Sequence, residues 1–241
     1  MNKAAQGVVL LLVGGAVLRA SLTDMYLRYV REGLRPFLIA AGVCLVAVAI
    51  ATLIPELRHR EADVPEPDHH DHGAGEHKEP RVSWLMVLPA LALLLVAPPA
   101  LGSDAANRNG TALGTAATSD FPPLPRGDPA QIAVLDYASR AVFEGGKSIG
   151  SRRVELTGFV VVGEHGQLFL ARMILTCCAA DARPIKVALG GDVPEYGKDT
   201  WIRVVGRYSK QMLTDSVNHE RIPFLTVESA RKIKPPKNPY E

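Results

Sequence analysis

Cysteine is scarce in this sequence, with three residues in a chain of 241. Cys177 and Cys178 are adjacent, and Cys44 lies within an apolar run. Small secreted domains that depend on disulfides have an even set of spaced cysteines, so the pattern excludes that class. We interpret Cys44 as a packing residue of its apolar run.

Charge of one sign is lacking as well, because 27 Lys and Arg residues nearly balance 25 Asp and Glu residues. Aromatic residues are few, at 6% of the chain. A domain that binds single-stranded nucleic acid typically has aromatic side chains along a basic groove. The composition therefore predicts no nucleic-acid partner.

Catalytic motifs are also sparse. The sequence has neither a His-Glu-x-x-His zinc-protease motif nor a P-loop for binding phosphate. A cysteine nucleophile needs a histidine base, and the C-terminal half offers only His165 and His219. We therefore expect that the protein is not an enzyme, with thiol oxidoreductase activity as the alternative.

Aliphatic residues, in contrast, are abundant near the N-terminus. Three apolar runs predict membrane-spanning helices at about residues 4–18, 37–54 and 84–101. The second and third runs have 18 uncharged residues each, which makes about 27 Å of helix for a bilayer core of about 30 Å. The first run is shorter and contains Gln6, so a signal peptide is the alternative to a retained span.

This pattern divides the chain into a membrane region at residues 1–101, a linker at 102–127 and a soluble domain at 128–241. The loops on either side of the second span carry similar numbers of Lys and Arg residues, so they set no clear orientation. The linker is rich in small polar residues, which is typical of a tether on the outer face. We expect a multi-pass protein of the cell membrane, embedded in lipid, with an extracytoplasmic soluble domain.

The loop at residues 56–83, between the second and third runs, is rich in histidine. Four of its histidines, His69, His70, His72 and His77, are interleaved with acidic residues. Imidazole and carboxylate groups are ligands for zinc and similar divalent ions. The loop is therefore a candidate metal-binding segment, and a solvated linker without a metal is the alternative.

The soluble domain begins with an expected helix. Asp128 is a suitable N-cap, Pro129 suits the first helical position, and the apolar spacing runs to Phe143 before Gly145-Gly146 ends it. Five strands with period-two patterning follow, at residues 153–162, 167–176, 184–189, 200–208 and 223–229.

Five short strands predict a small closed barrel. Gly158 and Gly206 lie inside two of the strands, where glycine allows the sharp bends that closure requires. The expected fold is thus a membrane α-helical half with three spans and a mainly β, OB-like barrel with one preceding helix. An SH3-like barrel or a small sandwich is the alternative for the soluble part.

The paired cysteines are the most unusual feature of the domain. Asp181 follows closely, and Arg172 and Arg183 flank the group. Three chemistries fit: a metal site with thiolate and carboxylate ligands, a strained disulfide with a redox role, and a buried structural cluster. Nearby guanidinium groups would lower the thiol pKa and favour the first two.

A zinc site requires at least one more ligand than Cys177, Cys178 and Asp181 provide. His165 and His219 are the candidates in the domain. Zinc is the expected ion, and another divalent or soft metal fits the same ligands.

Four segments of the C-terminal half carry a family resemblance. They are Val154-Glu-Leu-Thr-Gly-Phe159, Ile174-Leu-Thr-Cys-Cys-Ala-Ala-Asp-Ala-Arg-Pro184, Asp199-Thr-Trp-Ile-Arg-Val-Val-Gly206 and Pro235-Pro-Lys-Asn-Pro-Tyr240. In order and spacing they resemble the YcgQ-like bacterial membrane proteins, which are described as permease subunits of unknown function. Cys177, Cys178, Asp181 and Pro184 lie on the family signature.

The resemblance implies a role beside a separate multi-span permease of the YcgR-like kind, and it implies no substrate or reaction. Arg172, Arg183, Pro184 and Trp201 are then candidates for structural or partner-binding roles. We therefore expect an accessory subunit of a transporter that binds a metal ion. A stand-alone membrane sensor of metal or redox state is the alternative from another class.

Overall fold

The computed structural model describes residues 3–60, 99–113, 121–163 and 166–241. The chain divides into two compact units. The helical unit comprises Met1–Tyr26 and Glu32–Pro99, and the barrel unit comprises Leu27–Arg31 and Ala100–Glu241. The short segment Leu27–Arg31 therefore belongs with the barrel, although it lies far from it in the sequence.

Two long helices make up the described part of the helical unit. They are α1, Lys3–Leu22, and α2, Arg35–Arg60, with 3-10 turns at Asp24–Arg28 and Glu32–Leu34 between them. A Cβ atom on Gly14 would lie 2.9 Å from the side chain of Val46. Glycine at such a position lets two apolar helices approach closely.

One helix in the described residues is long and apolar enough to cross a bilayer. It covers Glu32–Pro55, with a mean hydropathy of 2.8 and 11% of its window buried. The low burial distinguishes it from the core helix of a soluble protein, whereas a signal sequence near an N-terminus has the same length and composition. The apolar part of α1, Gln6–Leu22, is shorter.

The prediction of three spans is therefore not confirmed. The described residues contain one candidate span, because α1 lacks the required apolar length. Most of the third predicted run, and nearly all of the histidine-rich loop, lie outside the described residues. The end of that run differs from the prediction, because Ala100 and Leu101 are non-helical and belong to the barrel unit.

The predicted linker also differs from the structure. Helix α3, Ser103–Arg108, forms there, and the side chains of Ala106 and Thr111 are fully buried. The main chain of Ala112 donates a hydrogen bond to the carbonyl of Pro184 at 2.9 Å. Residues 100–113 therefore pack on the barrel instead of forming a free tether.

The barrel is built from one short strand and five longer ones. They are β1, Ala130–Gln131; β2, Arg153–Val162; β3, Leu168–Ile174; β4, Arg183–Gly190; β5, Trp201–Thr214; and β6, Arg221–Lys232. The order is β1-β2-β3-β4-β6-β5, and pairing of β2 with β5 closes the barrel. The β4–β6 pair is parallel, as is the short β1–β2 pair. This five-stranded Greek-key closure fits the expected OB-like fold.

Strand β2 pairs with β5 and then with β3 along its length, and it also pairs with the short strand β1. Residues 153–159 pair with β5 and residues 159–162 pair with β3. Gly158 lies at this change of partner, and Gly206 lies at a register shift between β5 and β6. A Cβ atom on Gly158 would lie 3.0 Å from Leu170. The two glycines thus occupy the bends that closure requires, as predicted.

The helix before the barrel starts later than predicted. Helix α4 covers Val134–Phe143, and its buried face packs on the barrel interior. Asp128 pairs with Arg153 instead of capping the helix. The carboxylate of Glu241 accepts hydrogen bonds from the amides of Val134 and Leu135 at 3.1 Å. A residue from the other end of the chain therefore satisfies the first amides of the helix, which local sequence does not reveal.

A second apolar cluster lies apart from the main core. It consists of Ala106, Phe159, Val161, Ala171, Met173, Leu175 and Tyr240. Helix α3 contributes Ala106 to this cluster. The C-terminal end contributes Tyr240, which forms a parallel bridge with Met173. The cluster attaches residues 100–113 and the C-terminal end to the strands next to the paired cysteines.

Candidate metal centre at the paired cysteines

The paired cysteines lie in the connection between β3 and β4. This connection includes a 3-10 turn at Ala179–Asp181. The ligand atoms of Cys177, Cys178 and Asp181 all lie within 4.8 Å of one another. Cys177 is exposed, and the other two residues are half-buried. The three side chains therefore converge at the surface, where an ion could reach them.

Asp181 sets the geometry of this group. Its two carboxylate oxygens accept hydrogen bonds from the amides of Thr176 at 3.0 Å and Cys177 at 2.8 Å. The thiol of Cys177 also donates to this carboxylate, and together these bonds lower the pKa of Asp181. Asp181 is thus ionised at neutral pH and available as an oxygen ligand.

The hydrogen bond between Cys177 and Asp181 shifts the pKa of the thiol in the opposite direction. Hydrogen bonds to Asp181 and Cys178 raise the pKa of the Cys177 thiol to about 11. Negative charge beside a thiol disfavours the thiolate, which is the nucleophile in thiol chemistry. The expectation of a lowered thiol pKa is therefore wrong.

The guanidinium of Arg172, which the sequence suggested would lie near the sulfur atoms, has other partners. The Arg172 guanidinium lies 4.9 Å from the centre of the Trp201 ring and pairs with Glu241 at 3.5 Å. It also donates to the carbonyl of Asn238 at 3.2 Å. Arg183 is exposed at the start of β4. Arg172 thus anchors the C-terminal residues, which explains why it has no effect on the thiol.

Pro184 and Trp201, the other two residues predicted to have structural or partner-binding roles, pack against neighbouring segments. Trp201 stacks edge-on against Phe159, with ring centres 5.7 Å apart. Pro184 is buried, and its carbonyl accepts the amide of Ala112. Both residues therefore help to attach neighbouring segments to the barrel.

The main chain around Cys178 is held by a segment from before the second helix. Val30 and Cys178 form an antiparallel bridge. The amide of Ala179 donates to the carbonyl of Tyr29 at 2.7 Å, and the amide of Arg31 donates to the carbonyl of Cys177 at 3.1 Å. Nothing in the local sequence predicts this contact, because the partners are separated by nearly 150 positions.

No histidine joins the cluster within the described residues. His219 is an exposed residue in the turn between β5 and β6. His165, the other candidate for a fourth ligand, lies outside the described residues. The same holds for the loop histidines His69, His70, His72 and His77. The structure therefore brings together three of the predicted ligands, Cys177, Cys178 and Asp181.

A serine motif in the domain has the spacing of a hydrolase nucleophile, Gly146-Lys-Ser-Ile-Gly150. It lies in the turns that follow α4. A nucleophile elbow requires a strand before the serine and a helix after it. The local structure therefore differs from that of a hydrolase site.

A separate polar feature lies at a cavity of about 670 Å³ that the β2–β3 and β5–β6 connections help to line. The ammonium group of Lys186 pairs with the carboxylate of Asp215 at 3.0 Å. Asp215 also accepts the amide of Thr111 at 2.9 Å, and the side chains of both partners of the pair are at least 95% buried. This pair attaches the segment after α3 to the barrel.

Comparison with known proteins adds one family match, to part of the chain. No curated protein matches the sequence. The matched region contains the five longer barrel strands, the paired cysteines and Tyr240. Residues 146–241 match the family model described as the DUF1980 C-terminal domain.

Proposed function

We propose that this protein is a membrane accessory subunit of a permease and that its barrel binds a divalent or soft metal ion. The ligands would be the sulfur atoms of Cys177 and Cys178 and the carboxylate of Asp181. Zinc suits this mixture of thiolate and carboxylate groups. The ion would be cargo or a signal for the permease.

One observation supports the metal centre above all others. Three groups of the correct chemistry have ligand atoms within 4.8 Å of one another at the surface. The hydrogen bonds that Asp181 accepts from the amides of Thr176 and Cys177 help to fix this arrangement. A centre with three protein ligands leaves room for water or for a partner's group, which suits an ion that must be passed on.

The membrane role is supported by the helix Glu32–Pro55 and by the resemblance to YcgQ-like proteins. That resemblance names a multi-span permease of the YcgR-like kind as the partner. The histidines at His69, His70, His72 and His77 would add weaker ligands for the same class of ion, and the centre at the cysteines does not require them.

Metal analysis of the full chain in mild detergent tests the metal centre. The double variant Cys177→Ser with Cys178→Ser should bind less zinc per chain than the unchanged protein, because serine hydroxyls replace both thiolate ligands. Cys44→Ser is the matched control, since Cys44 is an exposed free cysteine of α2. Equal zinc content in all three proteins would contradict the proposal.

The accessory role requires a second measurement. The chain should co-purify with the permease after mild extraction, whereas a stand-alone sensor of metal or redox state need not. A thiol oxidoreductase is the less suitable alternative, because the raised pKa of the Cys177 thiol leaves little thiolate at neutral pH. Two thiols that react only after reduction would favour the redox alternative.

A further inference from the structure

The segment Leu27–Arg31, here named the clamp, holds the residues that carry the metal ligands. Its two main-chain hydrogen bonds lie on either side of Cys178, one to the carbonyl of Cys177 and one from the amide of Ala179. The bridge between Val30 and Cys178 aligns the two backbones. The clamp thus restrains the connection between the two cysteines and the turn that contains Asp181.

The clamp has a second attachment that is independent of the cysteines. The hydroxyl of Tyr240 donates to the carbonyl of Arg28 at 2.8 Å and accepts the amide of Leu101 at 3.2 Å. Tyr240 is 4% exposed and belongs to the second apolar cluster. The clamp is therefore held at one end by the barrel and at the other end by the ligand-bearing turn.

We propose that clamp docking and metal binding are thermodynamically linked, an inference that rests on the proposed metal centre. A bound ion restricts the backbone that carries Cys177, Cys178 and Asp181, and this is the backbone to which the clamp pairs. Metal binding orders the turn and so lowers the entropic cost of docking the clamp, and docking of the clamp lowers the entropic cost of metal binding in the same way. The linkage is reciprocal, so each raises the affinity of the other by the same factor.

The position of the clamp in the chain gives this linkage a consequence. The sequence continues from Arg31 directly into the candidate span Glu32–Pro55, most of which lies in α2. A change in clamp docking therefore changes the segment that leads directly into this helix. Metal occupancy would in this way be reported to the membrane part of the chain, which suits a regulator of transport.

The variant Arg31→Pro tests the linkage in the full chain in detergent. Proline has no amide hydrogen, so it removes the bond to Cys177, while Arg31→Ala removes the exposed side chain and retains that bond. Zinc affinity, measured by competition with a chelator, should fall roughly tenfold in the proline variant. This is the lower end of the decrease in metal affinity that typically follows loss of an outer-shell partner, roughly 10- to 100-fold. The alanine variant should bind zinc like the unchanged protein.

Hydrogen exchange provides the reciprocal measurement. Zinc should slow exchange in a peptide covering Leu27–Arg31 of the unchanged protein, and it should do so far less in Arg31→Pro. If zinc binds with equal affinity to both variants and leaves exchange in the clamp unaltered, the linkage is refuted and the metal centre stands. If the unchanged protein binds no zinc, the metal centre itself is refuted. Equal thermal unfolding of the two variants checks that both retain the barrel.

Discussion

The carboxylate of Asp181 accepts the amide of Cys177 at 2.8 Å and also the thiol of the same residue. One side chain therefore positions the cysteine backbone and keeps its sulfur protonated. A metal ion would replace the thiol proton and would have the carboxylate as a neighbouring ligand. The contact suits reversible metal binding better than nucleophilic chemistry.

The variant Asp181→Asn should react faster with iodoacetamide when no metal is present. Removing the negative charge lowers the pKa of the Cys177 thiol from its raised value of about 11. Each unit of decrease raises the thiolate fraction about tenfold and lowers its nucleophilicity about threefold, so the rate at pH 8 should rise about threefold per unit. The measurement is the rate of alkylation in a Cys44→Ser background.

Asp192→Asn is the control for loss of one negative charge, because Asp192 is exposed beyond the other end of β4. Its rate should equal that of the Cys44→Ser parent. Excess zinc should slow alkylation in the parent and in the control. If Asp181→Asn and Asp192→Asn react at equal rates, the carboxylate does not suppress the thiolate.

The buried pair between Lys186 and Asp215 should contribute strongly to stability. The variant Lys186→Met leaves the Asp215 carboxylate buried without its cation, which typically costs about 3 kcal/mol. The free energy of unfolding can be measured by urea titration with Trp201 fluorescence, because Trp84→Phe removes the other of the two tryptophans.

An exposed pair of the same type is the matched control. Lys198 and Asp104 lie 3.5 Å apart with more than half of each side chain exposed. Lys198→Met should change the free energy of unfolding by less than about 1 kcal/mol, because solvent screens such a pair. Similar losses in the two variants would show that burial of the Lys186 pair contributes no additional stability.

Acid should remove part of the stability that Asp215 contributes. Burial alone would raise the pKa of Asp215, but hydrogen bonds from the amides of Val217 and Thr111 and from Lys186 lower it below its usual value of 3.8. The stabilisation is therefore complete above the unfolded pKa and decreases as the pH falls through the lower folded pKa. The difference in free energy of unfolding from Asp215→Asn should be constant above about pH 5 and should shrink below about pH 4.

Urea titrations of both proteins at several pH values check this prediction, again with Trp201 as the probe. A difference that stays constant down to about pH 2 would mean that the Asp215 carboxylate titrates equally in the folded and unfolded states.

The barrel strands were predictable because their signals are local. Alternation of apolar and polar residues located all five longer strands, and the starts and ends mostly differ by a few residues from those predicted. Gly158 and Gly206 indicated the bends. The start of α4 was not predictable, since the groups that satisfy its first amides come from Glu241.

The candidate centre was predictable in its members and not in its electrostatics. Cys177, Cys178 and Asp181 were candidates because they lie within five positions of one another, and the fold brings their ligand atoms within 4.8 Å. The effect of Arg172 was not predictable, because its guanidinium lies against Trp201 and the C-terminal residues. Charge effects depend on distances in space that sequence spacing does not give.

The sequence by itself therefore determined the elements of the barrel and the identity of the three candidate ligands, since both follow from short-range patterns. Tertiary structure alone decided the raised pKa of Cys177, the packing of residues 100–113 on the barrel and the pairing of Val30 with Cys178. These features depend on contacts between distant parts of the chain, which form only when burial of the shared cores brings those parts together.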